Sequence, residues 1–360
     1  MITSLREDTE KMKNPFSLTF GKKPSLYIKR PVSFSEITDS FESEEPPKQC
    51  YLITGVRGSG KTVFLSEVAD YFKNQENWIV VDLNPERDML ESLAAKIYDE
   101  AGLRRWFIKP DFSFSFHGLT LSLHGETPVS DVESLLGRML SKLQAKGIRV
   151  LITVDEATTN RYTKVFAHSF QSFLRSGFPV FLLMTGLYQN IQILQDEKTL
   201  TFLYRAPKVF LGSLNLRAIA DSFEKTIGLC KEAAADAAKL TRGYAFAYQV
   251  LGYLMVERSA KEITDGLLSD FDLLLAENVY EKVFSELSAE SRRFLFAIAE
   301  AEAKHPKEIE SALSFSHGKY SVYRKRLIDR GILSGDTRGE ILFALPRFEQ
   351  FLLSQKVFAK

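Results

Sequence analysis

Cysteine is scarce in this chain, two in 360 residues. Cys50 and Cys230 are far apart and sit in apolar surroundings, which argues against a disulfide framework and fits reduced core residues. Net charge is equally scarce: 47 Lys+Arg against 46 Asp+Glu leave a formal +1. No whole-chain field therefore draws the protein to nucleic acid or to an anionic membrane, and any polyanion site must be a local patch. Long apolar runs are lacking too. The longest, "FPVFLLMTGLY" at 178–188, is interrupted by Pro179, Thr185 and Gly186 and is too short to span a bilayer. The opening "MITSLREDTEKMKN" is charged throughout and has no apolar stretch of the secretory kind. These absences lead to the expectation of a soluble, cytoplasmic protein with no membrane partner. There is no internal repeat, and no low-complexity tract beyond the short "ESEEPPK".

What is present is an ordinary globular composition, 45% hydrophobic, long enough for two or three domains. Short apolar runs rich in β-branched and aromatic residues alternate with amphipathic helices, the pattern of a parallel α/β sheet. The predicted strands are "CYLIT" (50–54), "NWIVVDL" (77–83), "RVLITV" (149–154), "PVFLLMT" (179–185) and "KVFLG" (208–212). Their two-sided hydrophobicity implies burial on both faces. Helices are expected to begin near Gly60, Thr163 and Tyr188. A further one, "SDVESLLGRMLSKLQAKG", should be capped by Ser130 with Glu133 behind it and stop at Gly147.

Within 111–124 the sequence switches to period-two alternation around His117-Gly118, the signature of a β-hairpin inserted before that helix. Its apolar face suits either a partner or the domain's own helices. After Gly212 the strands give way to helices over 213–283. Residues 284–360 then read as three short helices, a turn at Gly335–Gly339, a strand "EILFAL" and a terminal helix, the outline of a winged helix.

The chemistry centres on "GVRGSGKT", Gly55–Thr62, which matches G-x-x-x-x-G-K-[ST] between a strand and a helix. Gly55, Arg57, Gly58, Ser59 and Gly60 form a loop whose amides can point inward, and the helix N-terminus behind them adds positive potential for phosphates. Lys61 is placed for the β- and γ-phosphates, and Thr62 for Mg²⁺. The role of Arg57 is open between the phosphates and solvent. "VDE" then ends a buried strand: Asp155 is the candidate to hold Mg²⁺. Glu156 either orients an attacking water or merely begins a solvated loop. Thr185 at the end of "LLMTG" either meets the γ-phosphate or the water, or caps its turn. Arg205 either stabilises transition-state charge on a neighbouring subunit's nucleotide, which would need a homo-oligomer, or is a surface arginine.

These residues resemble the AAA+ superfamily: P-loop at 55–62, "LITVDE" as Walker B, "LLMTG" as sensor 1, an arginine before the fifth strand, a helical lid and a winged helix. More narrowly, the chain resembles prokaryotic ATP-binding proteins related to origin-recognition ATPases and to the signal-transduction NTPases with numerous domains, in which an "NPF" segment such as Asn14-Pro15-Phe16 often precedes the nucleotide domain. The resemblance implies an α/β P-loop NTPase of the AAA+/ASCE type with sheet order 5-1-4-3-2. It also implies ATP between core and lid, with "YIKRP" (27–31) near the adenine. The implied domains are a P-loop nucleotide-binding domain at 1–212, a helical lid at 213–283 and a winged helix at 284–360. One departure stands out: "LTRGYAFAYQV" has Arg242 only before Gly243, with no arginine in the helix that follows, and Ala245 stands where signalling NTPases carry proline. That leans toward a slow switch.

In "HGKYSVYRKRLIDRG" the third helix of the winged segment carries Lys319, Arg324, Lys325, Arg326 and Arg330 against Asp329 alone. Tyr320 and Tyr323 add groups able to touch sugar or phosphate. This helix suits double-stranded DNA, a protein partner, or packing against the lid. The expected activity is that of an ATPase binding ATP/ADP and Mg²⁺. The alternative is a nucleotide-dependent scaffold or sensor that scarcely hydrolyses. A P-loop small-molecule kinase fits less well, because the helical tail and the "DE" pair argue against it.

Overall fold

A computed structural model describes residues 14–19, 21–100, 114–116, 119–121, 131–197, 200–335 and 340–358. They form two compact units. An α/β unit comprises Arg30–Gly212 with Lys325–Ile332, and a helical unit comprises the described residues up to Lys29, Ser213–Arg324 and those from Leu333 on.

The α/β unit is built on β1 (Cys50–Thr54), β2 (Trp78–Leu83), β5 (Arg149–Val154), β6 (Val180–Gly186) and β7 (Lys208–Phe210). They pair in parallel in the order β2-β5-β6-β1-β7. Counted along the sheet these are strands 2-3-4-1-5, the order the resemblance implies. Period-two alternation sends Leu52, Val150, Ile152, Leu182 and Met184 to one core. Tyr51, Ile53, Leu151, Phe181 and Leu183 go to the other. That is why these strands read as continuously apolar.

On the first face lie α3 (Met89–Asp99), α4 (Val132–Gln144) and α5 (Arg161–Arg175). On the second lie α1 (Pro31–Glu42) and α2 (Lys61–Lys73). The cap of α4 is Asp131, whose carboxylate accepts from the Ser134 amide at 3.0 Å. Ser130, the expected cap, lies outside the described residues. α5 starts two residues ahead of Thr163, because Asn160 accepts the Thr163 amide at 2.9 Å. The hairpin is present as β3 (Phe114–Phe116) and β4 (Leu119–Leu121), antiparallel with Phe114 opposite Leu121. His117-Gly118 lies outside the described residues.

The helical unit runs through α8 (Leu216–Ile227), α9 (Lys231–Thr241), α10 (Ala245–Glu257) and α11 (Asp265–Leu275). A π turn, Ala276–Tyr280, then leads into α12 (Glu281–Ser285). α13 (Ala289–Glu300), α14 (Pro306–Leu313), α15 (His317–Asp329) and α16 (Phe348–Phe358) follow, and the last residues of α15 are counted with the α/β unit. Between α5 and α8 the α/β unit contributes α6 (Tyr188–Asp196) and α7 (Thr201–Arg205). Among the described residues no helix is long and apolar enough to cross a membrane.

Three expectations are corrected here. Cys50 is buried as expected, but Cys230 is exposed: it is the residue before α9, where the chain turns outward after the buried Leu229. The strand "EILFAL" shrinks to a single bridge, Leu333 to Phe343. Beside it the Ser334 N–H donates to Leu342 O at 2.8 Å, but Ile341 N–H goes to Lys304 O at 3.2 Å, and Phe343 O accepts from the Arg242 guanidinium at 2.6 Å. Tyr320 is buried rather than facing a ligand, while Tyr323 is half-buried. Their i, i+3 spacing, continued by buried Leu327, lays both rings on Phe294, with centroids at 5.6 and 6.0 Å.

The "NPF" segment is clamped to α10. Asn14 Nδ2 donates to Tyr253 O at 3.1 Å, and Ser17 N–H donates to Gln249 Oε1 at 2.9 Å. Buried Phe16 packs edge-on to Tyr248 at 5.4 Å. Gly252 makes this approach possible, since a Cβ there would lie 2.3 Å from the Phe16 ring. Gly252→Ala is therefore expected to cost about 1–3 kcal/mol by overpacking, measured by urea unfolding. Wild-type stability in that variant would show that Phe16 does not occupy this site.

Candidate functional site

In a parallel sheet the strand carboxyl ends and the helix N-termini that follow them gather at one edge. Pairing of Val154 with Met184 sets Asp155 beside Thr185, and pairing of Thr54 with Gly186 brings the start of the glycine loop to the same edge. The loop turns through Gly58 and Gly60 at φ +76° and +90°, a region costly for any residue with a Cβ. Gly60 is the N-cap of α2 and has no side chain to offer. The first amides of α2 are therefore left for an anion.

Lys61 folds back over the loop, its Nζ donating to Gly55 O at 3.1 Å and Val56 O at 3.0 Å. Arg57 is half-buried, and Ser59 is buried with a hydroxyl that has no hydrogen-bond partner among the described residues.

Asp155 gathers the rest. Thr62 Oγ1 donates to its Oδ2 at 2.7 Å, and the Thr185 hydroxyl donates to its Oδ1. Thr185 is fully buried, and its oxygen accepts the Glu156 N–H at 3.2 Å, which also points to Asp155 Oδ1 at 3.1 Å. Glu156 adopts φ +53°, in the left-handed region. That conformation costs roughly 1–2 kcal/mol for a residue with a Cβ, and the two bonds to its amide hold it there. Its side chain is exposed.

Thr62, Asp155, Glu156 and Thr185 are thus brought together, and Lys61 lies on the same loop. Arg205, ending α7, is exposed, and no hydrogen bond ties it to this cluster among the described residues. Arg242 turns α9 to a close at φ +49° and donates to Phe343 O. Of the basic side chains near α15, Lys319 pairs with Glu290 at 3.1 Å, Lys325 pairs with Asp329 at 2.7 Å, and Arg330 donates to Gln189.

Sequence reasoning named the segment 27–31 but none of its side chains. Arg30 is half-buried and donates to Gly212 O at 2.7 Å and to Ser59 O at 3.2 Å. Burial lowers its pKa to about 10. The available signal was an arginine directly before Pro31, at a helix entry close to the loop in space but not in sequence.

The donor set fits a magnesium nucleotide. Uncapped amides, an unpartnered serine hydroxyl and a lysine suit phosphate oxygens, while a hydroxyl and a carboxylate 2.7 Å apart are hard oxygen ligands of the kind Mg²⁺ takes.

Residues 277–352 match a family described as a domain of unknown function (DUF8462). No curated protein sequence matches the chain. Among solved structures, the Aeropyrum pernix ORC2 protein in its ADPNP–ADP complexes is similar at 14% identity, over 92% of this chain and 93% of that one, with TM-score 0.52. Its ADP form is similar at 14% identity over 93% and 96%, with TM-score 0.50. Cdc6p from Pyrobaculum aerophilum is similar at 14% identity over 94% and 97%, with TM-score 0.48. The chain shares the fold of these AAA+ proteins: a five-stranded parallel α/β sheet flanked by helices, followed by further helices.

Thr185→Val keeps the shape but leaves the Asp155 carboxylate and the Glu156 amide short of a partner. A loss of about 1–3 kcal/mol in urea unfolding is expected, with Thr185→Ser restoring most of it. Equal stability of the valine variant would mean that the hydroxyl does not carry these bonds.

Proposed function

We propose that the chain binds Mg-ATP at the glycine loop and hydrolyses it slowly, as a switch. It combines a nucleotide domain (1–212), a helical lid (213–283) and a winged helix (284–360) as output. The observation that carries this reading is the joining of Thr62 and Thr185 to one carboxylate, Asp155, beside a helix N-terminus with no side-chain cap. A neighbour of the same fold, the Aeropyrum pernix ORC2 protein, is described in complexes with ADPNP and ADP, which supports nucleotide as the ligand.

In this reading the amides from Gly55 to Thr62 wrap the phosphates, with Arg57, Gly58, Ser59 and Gly60 shaping the loop. Lys61 exchanges its two carbonyl partners for phosphate oxygens. Thr62 and Asp155 hold the metal, whose positive charge offsets that developing on the phosphoryl oxygens. Glu156 accepts a hydrogen bond from the attacking water, and Thr185 fixes the backbone that presents it. Exposed Arg205 is available to a neighbouring subunit in a homo-oligomer. Cysteines without a disulfide among the described residues suit a reducing cytoplasm.

A second reading, a sensor that retains nucleotide without cutting it, is favoured by one observation. Arg242 is engaged with Phe343 O, and α10 supplies no arginine in its place. Phosphate release separates the two. In the switch reading Lys61→Ala loses Mg-ATP binding, while Glu156→Gln retains binding and releases phosphate about 10²-fold more slowly than wild type. Equal rates in wild type and Glu156→Gln would remove Glu156 from hydrolysis, and tight binding by the wild type with no phosphate release above background would favour the sensor.

For the output, duplex DNA and a protein partner remain the two candidates. If the basic helix meets DNA, the double change Arg324→Ala, Arg326→Ala lowers duplex affinity and reduces the slope of log affinity against log salt by about 2. Absence of duplex binding by the intact protein at low salt, with and without ATP, would leave the protein partner.

A further inference from the structure

We infer that Arg30 is a positioning residue for the nucleotide site, setting the backbone of the glycine loop from behind; this rests on the nucleotide-binding reading above. Arg30 precedes α1 and reaches across to the loop. One nitrogen, Nη2, donates to both Ser59 O at 3.2 Å and Gly212 O at 2.7 Å. Among the described residues no carboxylate pairs with it, so a half-buried cation is held by two backbone carbonyls. Burying a guanidinium without an acid is unfavourable. Its two carbonyl partners, in place of an acid, point to geometry as its role.

The geometry follows from the peptide plane. The carbonyl of Ser59 and the N–H of Gly60 belong to one planar trans unit and point in opposite directions. Holding the Ser59 oxygen toward Arg30 therefore aims the Gly60 N–H to the far side of the loop, at the N-terminus of α2, where the candidate phosphate cradle lies. Gly212 makes a firm anchor. The residue before it, Leu211, donates its N–H to Thr54 O at 2.7 Å, and the Gly212 N–H donates to Phe210 O at 3.1 Å. The guanidinium thus ties a loop that turns on left-handed glycines to the end of the sheet.

The test has two readouts. Hydrogen exchange of the nucleotide-free protein reads the loop directly: in Arg30→Ala the amides of 58–62 should exchange about tenfold faster or more, while those of β5 are unchanged. Calorimetric titration with Mg-ATP reads the consequence, a Kd raised about 10–100-fold. Arg30→Lys, which retains a cation able to reach one carbonyl, should recover part of both effects. If Arg30→Ala does not fold, Arg30→Gln takes its place in the same two measurements. Unchanged loop exchange in a folded variant overturns the inference whatever the titration shows. Failure of the wild type to bind Mg-ATP overturns the nucleotide reading instead, and the exchange result still decides whether Arg30 sets the loop.

Discussion

Two hydroxyls from elements far apart in the sequence, Thr62 in the first turn of α2 and Thr185 at the end of β6, donate to the single carboxylate of Asp155. Much of the α/β unit follows from the need to keep that carboxylate hydrogen-bonded at a sheet edge. The strands must run parallel, so that their carboxyl ends meet. β5 must lie next to β6, so that Asp155 falls beside Thr185, and β1 must flank β6 on the other side, so that the loop before α2 arrives at the same edge. The order β2-β5-β6-β1-β7 satisfies all three. The same bonds hold Glu156 in a left-handed conformation it would otherwise leave, because its N–H is shared between Thr185 and Asp155.

The helical unit shows polar side chains committed in a different way. Arg242 and three of the basic residues near α15 find partners within their own chain, and buried Tyr320 and half-buried Tyr323 rest on Phe294. Lys319 and Lys325 nevertheless stay substantially exposed in their ion pairs, so the helix keeps its charge at the surface. At the other end of the chain, a short polar and aromatic segment is drawn into the fold by α10, through an asparagine, a glutamine and a glycine that together seat Phe16.

What could be read in advance was whatever depends on local spacing. Eight consecutive residues define the glycine loop, an acidic pair after an apolar run defines the strand end, and period-two burial on both faces defines the sheet. What could not be read depends on distant partners or on which way a side chain turns. Asn14 meets Tyr253 across 239 residues, and Arg30 meets Gly212 across 182. The wing carries strand-like residues, yet its backbone groups bond to Lys304 and Arg242, which no local pattern announces. Cys230 stands in an apolar stretch, but a helix entry faces outward. Arg205 shows the limit from the other side: its position before the fifth strand was readable, but its exposure suits a surface arginine as well as one directed at a neighbour.

The proton count at Thr185 bears on what the site can do. A threonine hydroxyl donates one hydrogen bond and accepts up to two. Here the donor is committed to Asp155 and an acceptor lone pair to the Glu156 amide. A hydroxyl so engaged can donate to a phosphate only by releasing Asp155, and it can accept from a water only beside the Glu156 N–H. The first change would alter the support of a residue already held in a costly backbone conformation, whereas the second uses the remaining lone pair. The state of Thr185 and the placement of the Glu156 carboxylate are therefore coupled through a single oxygen atom. This coupling comes from the chain's own hydrogen bonds, in place before any ligand is added.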